Sequence, residues 1–150
     1  MQIVNKDFVR SISVSVSPTA SATALTWVFP DLPQLRNRKF LAIEANVCAG
    51  DTSTSKVNLF ADYTTFLNSN TPGFLTLYDR AGLQFVQNIP LYELLNSEYD
   101  NYAFPVGTPR NTNGLYWFKE REVVWPKCTV YFPTATGIAN ACLLFNVYYK

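Results

Sequence analysis

Along most of this chain the hydrophobic residues fall at every second position, in short runs broken by polar turns. Ile12, Val14 and Val16 alternate with Ser11, Ser13 and Ser15. That period of two is the signature of a half-buried strand and predicts one over residues 8–16. A second strand is expected over 24–29, with Leu25, Trp27 and Phe29 on one face. Pro30 and Pro33 then bracket an irregular loop, because proline cannot supply ladder N–H groups. Residues 40–48 form a third strand, with Leu41, Ile43, Ala45 and Val47 inward and Glu44 and Asn46 outward. Residues 57–63 alternate Val57, Leu59, Ala61 and Tyr63 against Asn58, Phe60 and Asp62. They make a fourth strand on the same rule.

Residues 74–78 and 83–89 flank Asp79-Arg80-Ala81-Gly82, the pattern of a β-hairpin with a four-residue connection. Pro90 followed by an early acid, Glu93, predicts one short helical turn over 91–95. Residues 97–114 are polar and rich in Asn, Pro and Gly. Loops of that length inside a compact domain are often functional or interfacial. Strand character resumes over 115–125 and 128–132. It closes over 141–149, where Leu143, Phe145 and Val147 oppose Leu144 and Tyr148. A strand apolar on both faces sits centrally in its sheet or under a neighbouring subunit. Eight to ten strands with no βαβ alternation predict one all-β domain over residues 1–150, an antiparallel β-sandwich. The long connections favour a jelly roll over a meander.

Composition sharpens this picture. Charged residues make up 15% of the 150, equal to the aromatics, and the net charge is +1. A typical soluble chain is about 25% charged. The deficit leaves much of the surface to Asn, Thr, Ser and Gln or to contact with other subunits, and points to a homo-oligomer. A nucleic-acid partner calls for a far more basic chain; Arg36, Arg38 and Lys39 read as a solvated loop. No run approaches the ~18 apolar residues of a membrane helix. The alternation over 11–16 argues against a signal peptide, although Ala22-Thr23-Ala24 imitates a cleavage site. Cys48, Cys128 and Cys142 are too scattered for a zinc site or a disulfide framework. All three are expected as buried reduced thiols, and Cys128 and Cys142 as possible sheet neighbours.

Chemistry is scarce. The chain has no histidine, the usual proton shuttle near neutral pH and the commonest metal ligand. Serine and cysteine nucleophiles therefore lack their customary base. Glu120 and Glu122, two apart on a strand, would stand about 7 Å from each other, within the range of an inverting glycosidase. The Lys119-Glu120-Arg121-Glu122 run reads better as a charged strand edge or a seam of salt bridges between subunits. Glu98 and Asp100, with Asn96 and Asn101, offer oxygen atoms to calcium but not at EF-hand spacing. Asp51 lies in a similar polar turn. No catalytic residue, cofactor or metal is assigned. Trp27 and Trp125 are expected in the core. Tyr99, Tyr102, Phe104, Tyr116 and Trp117, in or beside the long loop, are the candidate interface or ligand-binding residues, since aromatic rings anchor protein contacts and stack on sugars alike.

Three segments carry a family likeness: Leu77-Tyr78-Asp79-Arg80-Ala81-Gly82, Asn88-Ile89-Pro90-Leu91-Tyr92-Glu93-Leu94-Leu95 and Leu144-Phe145-Asn146-Val147-Tyr148-Tyr149. In these, under a quarter of its length, the chain resembles small β-sandwich structural proteins of bacteriophage virions. The resemblance implies a non-enzymatic capsid, decoration or collar-type subunit. Such a subunit would assemble in host cytoplasm with copies of itself and other virion proteins. A carbohydrate-binding or receptor-binding module is the alternative, with a glycan as ligand.

Overall fold

The computed structural model describes residues 9–18, 25–48, 55–61, 73–94, 116–133 and 140–150, and for 116–119 only the backbone. Nine strands lie among the described residues: β1 (Arg10–Val16), β2 (Thr26–Val28), β3 (Phe40–Ala45), β4 (Val57–Asn58), β5 (Phe74–Tyr78), β6 (Gln84–Pro90), β7 (Tyr116–Arg121), β8 (Thr129–Tyr131) and β9 (Ala141–Tyr149). One sheet runs β1-β9-β3-β7, with the short β4 added beside β9; the other runs β2-β8-β5-β6. Every pair is antiparallel except β4 with β9. With β4 set aside, the first strand pairs with the last, the second with the second-last, the third with the third-last, and β5 with β6. These pairs among the described strands fall alternately in the two sheets.

Alternation decides what the two sheets enclose. Val14 and Val16 of β1, Ile43 and Ala45 of β3, and Leu143, Phe145 and Val147 of β9 face Trp27, Leu75, Leu77, Val86 and Val130 from the other sheet. Each large apolar side chain fully withdrawn from water contributes about 1.5–3 kcal/mol. Aromatic rings bind the layers together: Trp27 lies against Phe132 at 4.8 Å, and Phe29 against both Trp125 and Phe145 at 5.4 and 5.3 Å. Trp27 and Trp125 are core residues, as expected. The closing strand is central, between β1 and β3.

Several local expectations give way to the structure, each for a physical reason. A β-bulge at the start of β3 shifts the register between Phe40 and Ala42 on both neighbouring strands. The extra residue turns Phe40 into the core cluster, while Leu41, still buried, lies outside that cluster. Past the end of β3 the alternation lapses, and Val47 is exposed. Leu25, at the rim before β2, is exposed too.

The segment from Val57 inverts its expected faces: Val57 is 49% exposed and Asn58 1%. Its strand lasts two residues before a 3-10 turn over Leu59–Ala61. The buried amide accounts for this. Asn58 Nδ2 donates to the carbonyls of Asn46 and Cys48 at 2.7 Å each. Asn58 Oδ1 accepts from the N–H of Phe60 at 3.2 Å and of Leu144 at 3.1 Å. A side chain with four satisfied hydrogen bonds outweighs the hydrophobic pattern around it.

The hairpin is as expected. Gly82 turns with φ +85°, and Asp79 Oδ1 accepts the N–H of Leu83 at 2.9 Å. The turn after Pro90 is a single 3-10 turn over Leu91–Leu94.

Candidate functional site

No residue of β2, β5, β6 or β8 carries a charge. Trp27, Val130, Leu75, Leu77 and Val86 face the core, so their alternates form the outward face of this sheet. Register aligns Thr26, Tyr131, Phe74 and Pro90 in one row, and Val28, Thr129 and Thr76 in the next. Tyr131 is 43% exposed, Val28 37%, and Leu25 at the rim 39%. Tyr78 and Gln84 complete the face with a side-chain hydrogen bond. The surface is neutral and mixed from aromatic, aliphatic and hydroxyl groups, the chemistry of interface cores rather than of solvated rims.

The outward face of the other sheet is polar. Glu44 Oε1 accepts from the Tyr148 hydroxyl at 2.6 Å and from Asn146 Nδ2 at 3.1 Å. Asn46 Nδ2 donates to Asn146 Oδ1 at 3.1 Å. Ser11, Ser13 and Ser15 lie opposite Tyr148, Asn146 and Leu144. Burial, followed by the neighbouring Glu44 carboxylate, pushes the Tyr148 phenol up to about 12.

Of the residues singled out from sequence, Tyr99, Tyr102 and Phe104 lie outside the described residues, as do Asp51, Glu98 and Asp100. Position 116 pairs with Ile43 and position 117 with Ala42. The structure therefore brings 117 into the row of Ala42 and Tyr148 on the polar sheet.

The acidic pair does not stand as two free carboxylates. β7 ends at Arg121. Glu120 pairs with Lys150 at 2.7 Å, and Glu122 with Arg80 at 2.9 Å and Lys39 at 3.7 Å. The hydrogen bond from Arg80 is the main reason the Glu122 carboxyl lies below its ordinary value. A general acid needs the opposite shift. Arg121 reaches Asp79 at 3.4 Å and stacks on the Phe85 ring at 4.4 Å. The N–H of Arg80 donates to the Glu122 carbonyl, and that of Val124 to the Tyr78 carbonyl. The expected seam of salt bridges exists, but within one chain: it ties the β5–β6 hairpin to the end of β7 and closes the sandwich between its two sheets.

A cleft of about 340 Å³ opens beside this seam. Its apolar floor includes Leu32, Leu35 and Trp125, and the ion pairs Arg36–Asp31 and Arg80–Glu122 stand at its rim. Among the described residues no group of three His, Cys, Asp or Glu side chains could hold a metal ion. No helix among them is long and apolar enough to cross a membrane.

The cysteines divide. Cys48 is exposed, against expectation, because β3 ends before it. Cys128 and Cys142 are buried thiols in different sheets and do not pair across a ladder. Burial pushes the Cys128 thiol up to about 12.

Comparison of the chain with protein-family models, with curated proteins and with solved structures returns no match.

The signal that sequence reading missed was the absence of charge from four separate segments. It is legible residue by residue, but only the pairing of β2, β8, β5 and β6 turns it into one surface.

Proposed function

We propose that this protein is a non-enzymatic structural subunit of a virion, a jelly-roll sandwich of the minor capsid, decoration or collar type. It acts by assembling with copies of itself and with other virion proteins in the host cytoplasm. The observation that carries the reading is the uncharged outward face of the β2-β8-β5-β6 sheet, with Val28 and Tyr131 exposed on it. A free monomer gains nothing from keeping such a face in water, whereas a second copy laid against it would bury those side chains. The first-with-last strand pairing supports the jelly roll, an architecture that viral capsid and lectin domains share. The lack of histidine and the neutralised Glu120 and Glu122 support a role without catalysis.

Size-exclusion chromatography with light scattering tests the reading. The wild-type protein is expected to form a defined oligomer, and the double variant Val28→Glu/Tyr131→Glu a smaller species with unchanged circular dichroism. A wild-type protein that stays monomeric into the submillimolar range, alone and in extracts containing its virion partners, rules the proposal out.

One observation favours a second reading, a glycan-binding module. Glu44, Asn46, Asn146 and Tyr148 form a hydrogen-bonded group beside a row of serines on the outward face of the five-stranded sheet. Trp117 stands in register with it. Carboxylate and amide groups so placed suit the hydroxyls of a neutral sugar. Glycan-array binding that Glu44→Gln and Trp117→Ala both abolish would favour this module over the assembly subunit.

A further inference from the structure

Among the described residues each of the two sheets ends in two edge strands, and these four edges differ sharply. β2 is three residues long. β6 ends in Pro90, and its ladder with β5 shifts register twice. β7 carries Glu120, paired with Lys150, and Arg121, which ties it to Asp79 of the hairpin. These are the devices by which proteins keep sheet edges from pairing with strangers: shortness, proline, irregularity and charge. β1 has none of them. It is seven residues long and runs against β9 in unbroken register from Arg10↔Tyr149 to Val16↔Leu143. It has no proline or glycine, and no charge after Arg10. Among the described residues its only strand partner is β9, and no other described strand takes up the N–H and C=O groups along its other side.

We infer that β1 is the contact through which two copies of this chain join, edge to edge and antiparallel, about a two-fold axis passing through Ser13. The inference rests on the assembly reading above and adds to its face contact a second self-contact, on the other sheet. The sequence of β1 selects a second copy over a different partner because it is self-complementary. In antiparallel pairing, residues directly opposite share a face. A two-fold axis through Ser13 sets Ser11 opposite Ser15 of the second copy, and Ile12 opposite Val14. All seven residues then pair: serines meet serines on the outward face, Ile12 meets Val14 on the core side, and Arg10 lies opposite Val16 at each end of the ribbon. Identical strands that carried charge here would repel each other, whereas 11–16 carries none. The joined sheet would run β7-β3-β9-β1 and back through the second copy. A seven-residue ribbon is narrower than a standard interface of about 1,600 Å², so the pairing is expected to depend on concentration.

Charge swapping at the axis provides the test. Ser13 is exposed, so Ser13→Lys and Ser13→Glu should each leave the fold and melting temperature of the monomer unchanged. In each variant alone, like charges meet across the axis, and self-association measured by analytical ultracentrifugation should weaken about tenfold. Mixing the two variants should restore it, because Lys then faces Glu. Hydrogen exchange should protect alternate β1 amides in dilute wild-type protein and the remaining ones only on concentration. A wild-type oligomer insensitive to both variants overturns the inference and leaves the assembly reading standing. A wild-type protein monomeric at every concentration overturns the inference, and one monomeric also in extracts containing its virion partners removes the assembly reading as well. Complete protection of β1 amides in a monomer also overturns the inference, since the edge would then be covered from within the chain.

Discussion

Asn58 Oδ1 accepts the backbone N–H of Leu144 at 3.1 Å, a bond across 86 residues of sequence from a two-residue strand to the central strand of the sheet. The same amide holds the carbonyls of Asn46 and Cys48 and the N–H of Phe60. It thereby ties the end of β3 and the 3-10 turn to the start of β9. Replacing it with alanine strands several backbone groups without partners, each at about 1–3 kcal/mol. Asn58→Ala is therefore expected to cost at least about 3 kcal/mol, or roughly 6–12 °C in melting temperature for a chain of this size. Asn58→Asp should be no milder, because a carboxylate cannot donate to two carbonyls. Thermal unfolding checks both; a shift under about 2 °C would show that the hub is dispensable.

Two glycines make opposite demands on space. A Cβ on Gly73 would stand 2.5 Å from Leu91 Cδ1 and 2.7 Å from Phe132 Cε1, both core side chains. Gly82 has open space around it but a φ of +85°. Gly73→Ala should thus destabilise by overpacking, about 1–3 kcal/mol. Gly82→Ala should cost about 1–2 kcal/mol through backbone strain, and Gly82→Asn less, since asparagine enters the left-handed region more readily. Denaturant melts of the three variants separate the causes: equal losses for Gly82→Ala and Gly82→Asn would discount strain at that turn.

How much of this was legible beforehand follows from where periodicity is the whole story. β1, the β5–β6 hairpin and β9 could be read directly: β1 from its unbroken alternation, the hairpin from the turn residues between two apolar runs, and β9 from a run apolar on both faces. Phe40 and Leu41 could not: a bulge exchanges their faces and leaves no local mark in the sequence. Asn58 could not either, since its burial depends on four partners distant in the chain or fixed only by the fold. The candidate surface fared likewise. Absence of charge in β2, β5, β6 and β8 is plain in the sequence, but their adjacency is a matter of topology. Glu120 and Glu122 looked like a pair only while Arg80, Lys39 and Lys150, which neutralise them, were distant letters.

The three thiols should behave as one and two. Cys48 is exposed, whereas Cys128 is buried, with its Sγ 3.4 Å from the Val124 carbonyl and from the Tyr78 N–H. Only thiolates attack a disulfide reagent, and burial holds the Cys128 proton to about 12. At pH 8 the native protein should release one equivalent of chromophore quickly, lost in Cys48→Ser, and three only after unfolding. Fast release of two or more from native protein would contradict the burial of Cys128 and Cys142.

The same two raised groups set the alkaline limit of stability. Cys128 and Tyr148 ordinarily lose their protons near 9 and 10, and in the fold both hold them to about 12. A group whose folded value is raised contributes stability that is complete below its unfolded value and lost as pH climbs toward the folded one. Stability should accordingly fall between pH 9 and 12. Glu122, shifted downward chiefly by its hydrogen bond with Arg80, acts at the other end: its contribution is present above about pH 4.5 and lost as pH drops through its lowered value. Tyr148→Phe removes the donor to Glu44, which should cost about 1 kcal/mol near neutrality. It should also flatten the loss above pH 10, because no phenolate then forms beside that carboxylate. Urea unfolding from pH 7 to 11 would check this; an equally steep alkaline fall in wild type and Tyr148→Phe would remove the phenol from the account and leave the thiol alone to explain it.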